Sequence, residues 1–464
     1  MPGPGSLPSL LPGPCFAWRP RNIVRGEMRE GRGEKEEGRT VRGRSFSNRS
    51  LVAGATGFVL NLLLGVVYAW SMFVEPLEAQ FGWTRAETSL VFTVSMACLC
   101  AGHLASGILL PRTSPRCVLL LAAALSGAGF LASAAGDSLG WFVVSYGICC
   151  GLAVGLGANC VLSTVLLWFS DRRGLASGVL LAGVGLGSLA LGVPVTSVIE
   201  ALGWRAAFAC LGIAFALALG VGALLLKAPS SQSEGPQREG ALGSRETGGA
   251  PSESEPAAPA ACRGMTTAQM LRTGSFWGFF CWIVLMGAGG LALISNAVPA
   301  AAVVVQRSGG GAGALAFATA AMGLIGVANS AGRLASGWIW DRFGFRVALA
   351  AAPMALMAAM ALCIVADELA SPAFIIGGFL LLGASYGGSV SAGSALTGSF
   401  FGMECYPMNY AVVSLNILVA SLVGPAVTAA SWDLSGSYLA AYVILALLAL
   451  AALIIGRFLR PPRD

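Results

Sequence analysis

The chain has 464 residues, of which 56% are hydrophobic and 11% charged, with a formal net charge of +6. So little polar surface cannot clothe a soluble globule, which excludes that class and leaves an all-α integral membrane protein as the expectation. No nucleic-acid partner is expected.

Residues 1–50 are polar, carry ten Arg or Lys and end against the first apolar run. They lack the order of a signal peptide, so a disordered basic segment is predicted, with Met28 an alternative start. From there the chain repeats segments of the length a bilayer demands, roughly 20 residues of helix for a core of about 30 Å. They fall at 51–76, 87–110, 116–136, 139–169, 175–200, 204–226, 275–304, 312–340, 345–366, 371–402, 410–432 and 436–459. That predicts twelve transmembrane helices in two six-helix halves, 51–226 and 273–459. A cytoplasmic linker at 227–272, rich in Ser, Glu, Gly and Pro, separates them, and a tail follows at 460–464.

Glycine is abundant, with 63 in the chain. In lipid such residues let helix backbones approach, so the run Gly183-Val184-Gly185-Leu186-Gly187 and the glycines from 151 to 157 are predicted packing faces rather than phosphate-cradling loops. The cysteines sit in apolar segments with no CxxC pair, and the chain has a single histidine. No metal, cofactor or catalytic constellation is therefore expected, and the protein is not predicted to be an enzyme.

Of the 28 Lys and Arg, all but Arg85, Arg205, Arg307 and the intramembrane Arg333 fall on one side of the bilayer if the amino terminus is inside. The positive-inside rule then puts both termini in the cytoplasm, in the plasma or inner membrane. With six spans in each half, the halves share one orientation and can be related by an axis along the membrane normal. Internal repetition supports this. AGHLASG at 101–107 recurs as AGRLASG at 331–337, with His103 replaced by Arg333, and Pro194 finds Pro425 at nearly the same offset.

After the second heptad, Gly337, Asp341, Arg342, Gly344 and Arg346 complete a G-x-x-x-D-R-x-G-x-R loop. An acid at that helix end can bond a facing helix amino terminus or neighbouring arginines and so hold a gate shut. The first half carries a worn copy, with Pro111 in place of the acid and Ser114 in place of the second glycine. Gating charge is thus expected to be asymmetric, weighted toward Asp341.

The loop resembles the signature of the major facilitator superfamily. Residues 68–77 followed by Phe81-Gly82-Trp83, residues 168–178, and Asn409-Tyr410 ahead of Gly424-Pro425 are similar to the oxalate/formate antiporter family. The resemblance implies alternating access between the halves and a small carboxylate held by an eighth-helix arginine, an eleventh-helix lysine and aromatic walls. Arg333 matches the arginine. The lysine has no counterpart, since no Lys or Arg occurs from 403 to 456. That departure favours monocarboxylates such as formate, lactate or pyruvate over oxalate.

Arg333 precedes Asp341 by eight residues, about 12 Å of helix, which places a costly charge near mid-membrane. Its fork suits a carboxylate. Tyr68, Trp70, Tyr386 and Asn416 are the expected further substrate contacts, because polar tips on aromatic walls suit a small anion. His103 titrates near neutrality and is the candidate for proton coupling. The expected function is antiport or proton symport of small organic anions by a monomer. Export of amphipathic compounds, or a membrane sensor that does not transport, are the alternatives on the same fold.

Overall fold

The computed structural model describes residues 48–229, 264–309 and 314–462. Nearly all of the basic amino-terminal segment and most of the linker lie outside the described residues, as does the side chain of Tyr68. The described residues are helical throughout, with no strand among them.

The first expected span is not one rod. It comprises α1 (Asn48–Leu64), a 3-10 stretch (Gly65–Trp70) and α2 (Ser71–Phe81), closed by Gly82 at φ 68°. Helix α3 (Arg85–Leu109) opens with a capping box between Thr84 and Glu87. Helix α4 (Pro115–Ala134) is capped by Ser114, whose side chain accepts the N–H of Cys117. The serine that departs from the loop motif thus serves as a helix cap.

Next come α5 (Leu139–Phe142), a π-helical stretch (Val143–Cys150) and α6 (Gly151–Leu166), one continuous run. Helix α7 (Arg173–Leu225) has 53 residues, about 80 Å, the length of two crossings. It breaks at Gly203, whose φ of 84° suits only a residue without a Cβ, at the boundary between the fifth and sixth expected spans.

The second part contains the short α8 (Thr267–Leu271), α9 (Gly274–Arg307), α10 (Ala314–Phe343), α11 (Phe345–Glu368) and α12 (Pro372–Phe401). It ends with α13 (Tyr406–Ser414), α14 (Asn416–Ser435) and α15 (Leu439–Phe458). Nine helical runs among the described residues are long and apolar enough to cross a membrane. Their outer faces are apolar, as lipid requires: Val193, Leu202, Leu217, Leu422, Leu434 and Leu447 are all more than half exposed.

Two separate cores form. One is built from residues of 53–226, joined by Tyr406 and Tyr410, and the other from residues of 270–459. In the first, Phe73 stacks on Phe208 at 4.0 Å and Trp70 packs at a tilt against Tyr146 at 4.5 Å. The halves meet through α7 against α10 and α12, and through α13 against α3 and α6. The expected glycine faces explain the close approach. Gly183 and Gly187 lie against the α1 backbone near Leu62, whereas Gly185, on the other side, faces Ser330 of α10. Alternate glycines therefore bind α7 to its own half and to the opposite one.

Candidate site between the halves

The repeated heptads are the cross-points. In each, the first glycine serves its own half: Gly102 lies against Leu152 and Gly155 of α6, and Gly332 against Ala384 of α12. The last glycine serves the other half. Gly337 meets Gly174 and Leu175 of α7, and Gly107 meets Pro407 and Met408 of α13. A Cβ at either position would overlap backbone, so small residues here are a condition of contact.

Between those glycines the variable residue reaches across. Arg333 is 3% exposed. Its Nε donates to Asn329 Oδ1 at 3.1 Å, and its Nη1 donates to the Leu181 carbonyl on α7. Nη2 makes no hydrogen bond among the described residues. His103, 6% exposed, places Nδ1 3.1 Å from Ser414 Oγ on α13. Leu181 and Ser414 occupy matching places, each seven residues beyond the point where the heptad's last glycine touches the facing helix, at Gly174 and Pro407. Thus the two halves are linked by two pseudo-symmetric contacts of different chemistry.

One helical turn or two further toward the loops, the symmetry is broken. Asp341 accepts the N–H of Gly174 at 3.0 Å through Oδ1 and that of Leu175 at 2.8 Å through Oδ2. These are orphan donors at the start of α7, so the carboxylate caps a helix of the opposite half and meets its positive end. Of the two partners open to this acid from the sequence, the helix amino terminus is the one it takes. Gly344, at φ 84°, turns the chain from α10 into α11 with its N–H on the Trp340 carbonyl. Arg346 lies over the Phe345 ring at 5.8 Å, and Arg342 lines an open crevice with Asp341, Asp171 and Trp338.

On the other side Pro111 has no acid to offer, and Pro407 stands where Gly174 would be, with no N–H to receive it. An amide takes over. Asn159 of α6, fully buried, donates to the His103 carbonyl at 2.9 Å and to the Pro407 carbonyl of the other half at 2.8 Å. Its Oδ1 accepts from Ser163 at 3.0 Å, so every polar atom of the side chain is satisfied.

Beside this contact lies a small cleft, about 30 Å³, lined by α9, α12, α13 and α14. Tyr386, Ser389, Tyr410, Ser414 and Asn416 supply its polar edges, and no charged residue lines it among the described residues. Tyr386 reaches it because its ring lies against Gly290, which has no side chain to obstruct it. Asn416 donates to the Val413 carbonyl at 2.7 Å, which leaves its oxygen on the cleft side.

The structure brings Tyr386 and Asn416 together and connects them through Ser414 to His103. Arg333 is not among the lining residues. Trp70 is also absent from it: the ring is 3% exposed inside the first core, with Nε1 donating to the Thr88 carbonyl at 3.1 Å. Its indole N–H was a polar tip in the sequence, but a neighbouring backbone oxygen claims it. Sequence reasoning missed Ser414, Tyr410 and Asn329. A signal existed for each, since Tyr410 and Ser414 are four residues apart on one helix face and Asn329 is four before Arg333.

Residues 55–404 match the Major Facilitator Superfamily as a sequence family. The chain belongs to the major facilitator superfamily. It is 26% identical over 238 residues to the oxalate:formate antiporter of Oxalobacter formigenes, covering 51% of this chain and 52% of that protein. The chain thus spans about half the length of that antiporter in the match. It is also 26% identical over 364 residues to the uncharacterized MFS-type transporter YhjX of Escherichia coli, covering 78% and 84%. Monocarboxylate transporter 1 of Homo sapiens is 30% identical over 156 residues, 32% of this chain and 31% of the other.

Among solved structures, the superfamily transporter FucP in the outward conformation superposes with a TM-score of 0.63 at 16% identity, covering 89% of this chain and all of that one. The proton:xylose symporter XylE gives 0.61 at 15%, covering 90% and 97%. At such identity these two establish the major facilitator fold alone. The resemblance to the oxalate/formate antiporter family, read first from motifs, is thereby supported by both a family match and a named relative.

Proposed function

We propose that the protein is a secondary transporter of small monocarboxylates, working by alternating access between its halves as an antiporter or a proton symporter. The observation that carries the reading is Arg333. A guanidinium buried at the crossing of α7 and α10, with Nη2 unpartnered among the described residues, is a costly feature unless an anion completes it. A carboxylate docking on that edge accepts the parallel hydrogen bonds for which the fork is shaped.

The cleft at Tyr386, Ser414 and Asn416, which Arg333 does not line, adds no second charge to that arginine among the described residues. Among the described residues its walls are hydroxyl, amide and apolar groups, so Arg333 stands without a partner cation, which suits a formate-, lactate- or pyruvate-like acid better than oxalate. The names of the oxalate:formate antiporter and monocarboxylate transporter relatives support a small carboxylate, and the second supports a monocarboxylate. Asp341 on the α7 amino terminus closes the end that we place in the cytoplasm, together with both termini. We assign the gating role to the loop that Gly337, Asp341, Arg342, Gly344 and Arg346 form, and the two halves to 51–226 and 273–459.

The test is counterflow of labelled formate, lactate, pyruvate and oxalate into proteoliposomes preloaded with the same acid. Saturable exchange of a monocarboxylate, lost in Arg333→Ala and reduced at least about tenfold in Arg333→Lys, is expected, because an ammonium cannot reproduce two parallel bonds. Wild-type exchange in Arg333→Lys protein overturns the assigned role.

A further inference from the structure

The only histidine of the chain lies between the halves, one side chain away from the cleft. The Ser414 hydroxyl donates to the Ala411 carbonyl at 2.7 Å, so its oxygen is left to accept. Nδ1 of His103, 3.1 Å away, is therefore the donor, and the neutral ring carries its hydrogen there. Nε2 is then the basic nitrogen. It makes no hydrogen bond among the described residues.

The described neighbours offer no charge to that nitrogen. From α3 itself comes Cys100, whose thiol is directed to the Ser414 carbonyl at 3.8 Å. Helix α13 presents Tyr410, its ring 6.0 Å from the imidazole, with Tyr406 stacked behind it. Helix α6 presents Asn159 and Gly155, while its Cys160 is directed to Pro115. In the π-helical stretch Tyr146 faces Trp70, and Cys150 faces Gly129 with Cys149 beside it. The acids of α2, Glu75 and Glu78, lie toward the opposite end of α3, where Glu78 accepts from Thr88, about 22 Å of helix from His103. Asp433 is near the far end of α14.

With no carboxylate at hand among the described residues, an imidazolium here gains a counter-ion when an anion occupies the cleft that Tyr410 and Ser414 also line. We infer that His103 is the proton site of a proton:carboxylate symport, taking a proton on Nε2 as the anion binds and releasing it when the anion leaves. This rests on the carboxylate reading above. Charge balances: one proton from water on the entry side and one carboxylate cross together, and the proton returns to water on the exit side. The site deepens that reading by choosing symport for the coupling and by naming a residue whose counterpart in the second heptad is an arginine.

Two measurements separate the claims. Counterflow needs no gradient, so its absence for every acid defeats the carboxylate reading by itself. Where an acid does exchange, an inward proton gradient of one pH unit should drive about tenfold accumulation, the free energy of one pH unit for each anion carried. In His103→Gln the ratio of uptake with the gradient to uptake without it should fall to about one. A ratio that stays near ten overturns the proton assignment and leaves the carboxylate reading standing.

The second measurement is independent of transport. Protein labelled with nitrogen-15 in histidine, purified through a histidine-free tag, gives one imidazole. It should be the Nδ1–H tautomer at pH 8, protonate reversibly on acidification to pH 5, and do so at higher pH when pyruvate is added. Ser414→Ala should shift it to the Nε2–H tautomer. A ring that remains neutral to pH 5 with and without pyruvate, or a wild-type Nε2–H tautomer, overturns the proposal. If no acid exchanges, the carboxylate reading fails and the symport assignment fails with it, whatever the ring does.

Discussion

Asp341 and Gly174 belong to different halves of the molecule, yet the carboxylate of one caps the helix that begins with the other, at 3.0 Å. With the second bond to Leu175, a single side chain satisfies two orphan donors and sets its charge on the positive end of α7. Asp341→Asn keeps the shape but loses the charge and one acceptor. We expect the closed arrangement of this end to weaken by about 1–2 kcal/mol, a fall of about 5–30-fold in its population relative to the open one. Spin-label distances between the α3–α4 and α13 ends should broaden toward longer values.

Gly337 lies so close to Gly174 that a Cβ on either would meet backbone. Gly337→Val should prevent closure of this end outright, because neither carbonyl nor helix axis can yield as a flexible side chain would. The expected result is normal membrane insertion with transport abolished. Thiol labelling of a cysteine placed at the inner end of α7 should become fast and independent of substrate.

The first half should not recover its lock by restoring the acid alone. Pro407 stands at the position equivalent to Gly174 and has no N–H, so Pro111→Asp gives a carboxylate without its donor. We expect Pro111→Asp to leave the closed population unchanged or lower it, and Pro111→Asp with Pro407→Gly to raise it. The comparison of the single and double variants by the same spin-label distances isolates the pair.

Asn159 holds carbonyls of both halves. Asn159→Ala removes three bonds, one of which exists only when the halves are closed, at a cost of about 1–3 kcal/mol. Asn159→Asp should be worse than alanine, because it opposes two carbonyl oxygens with a carboxylate. Thermal unfolding of purified protein should rank wild type above Ala above Asp.

Trp70→Phe should affect stability and not affinity. The ring packs on Tyr146 and its N–H meets the Thr88 carbonyl, all inside one core. A loss of about 1–2 kcal/mol in thermal or denaturant unfolding is expected, with the apparent affinity for substrate unchanged.

The sequence by itself determined the class of architecture. Spacing and apolar content demanded membrane helices, the heptads at 101–107 and 331–337 marked equivalent positions in two halves, and Asp341 with its glycines marked a point where the halves bond. These features are local, and a helix in lipid leaves the backbone few alternatives, so composition and period suffice. Glycine runs were legible as contact faces for the same reason, although not which face met which helix. Which polar tip met which partner was decided only in three dimensions. Trp70 and Tyr386 are similar in sequence setting, each an aromatic ring in an apolar helix, yet one enters a core and the other lines a cleft. The rotation of each helix about its axis fixes that difference, and it follows from packing against helices remote in the chain. His103 meets Ser414 311 positions away, and Asn159 meets Pro407 at 248. No periodicity within a helix encodes such a pairing, because it comes into being only when two independently formed bundles close on each other.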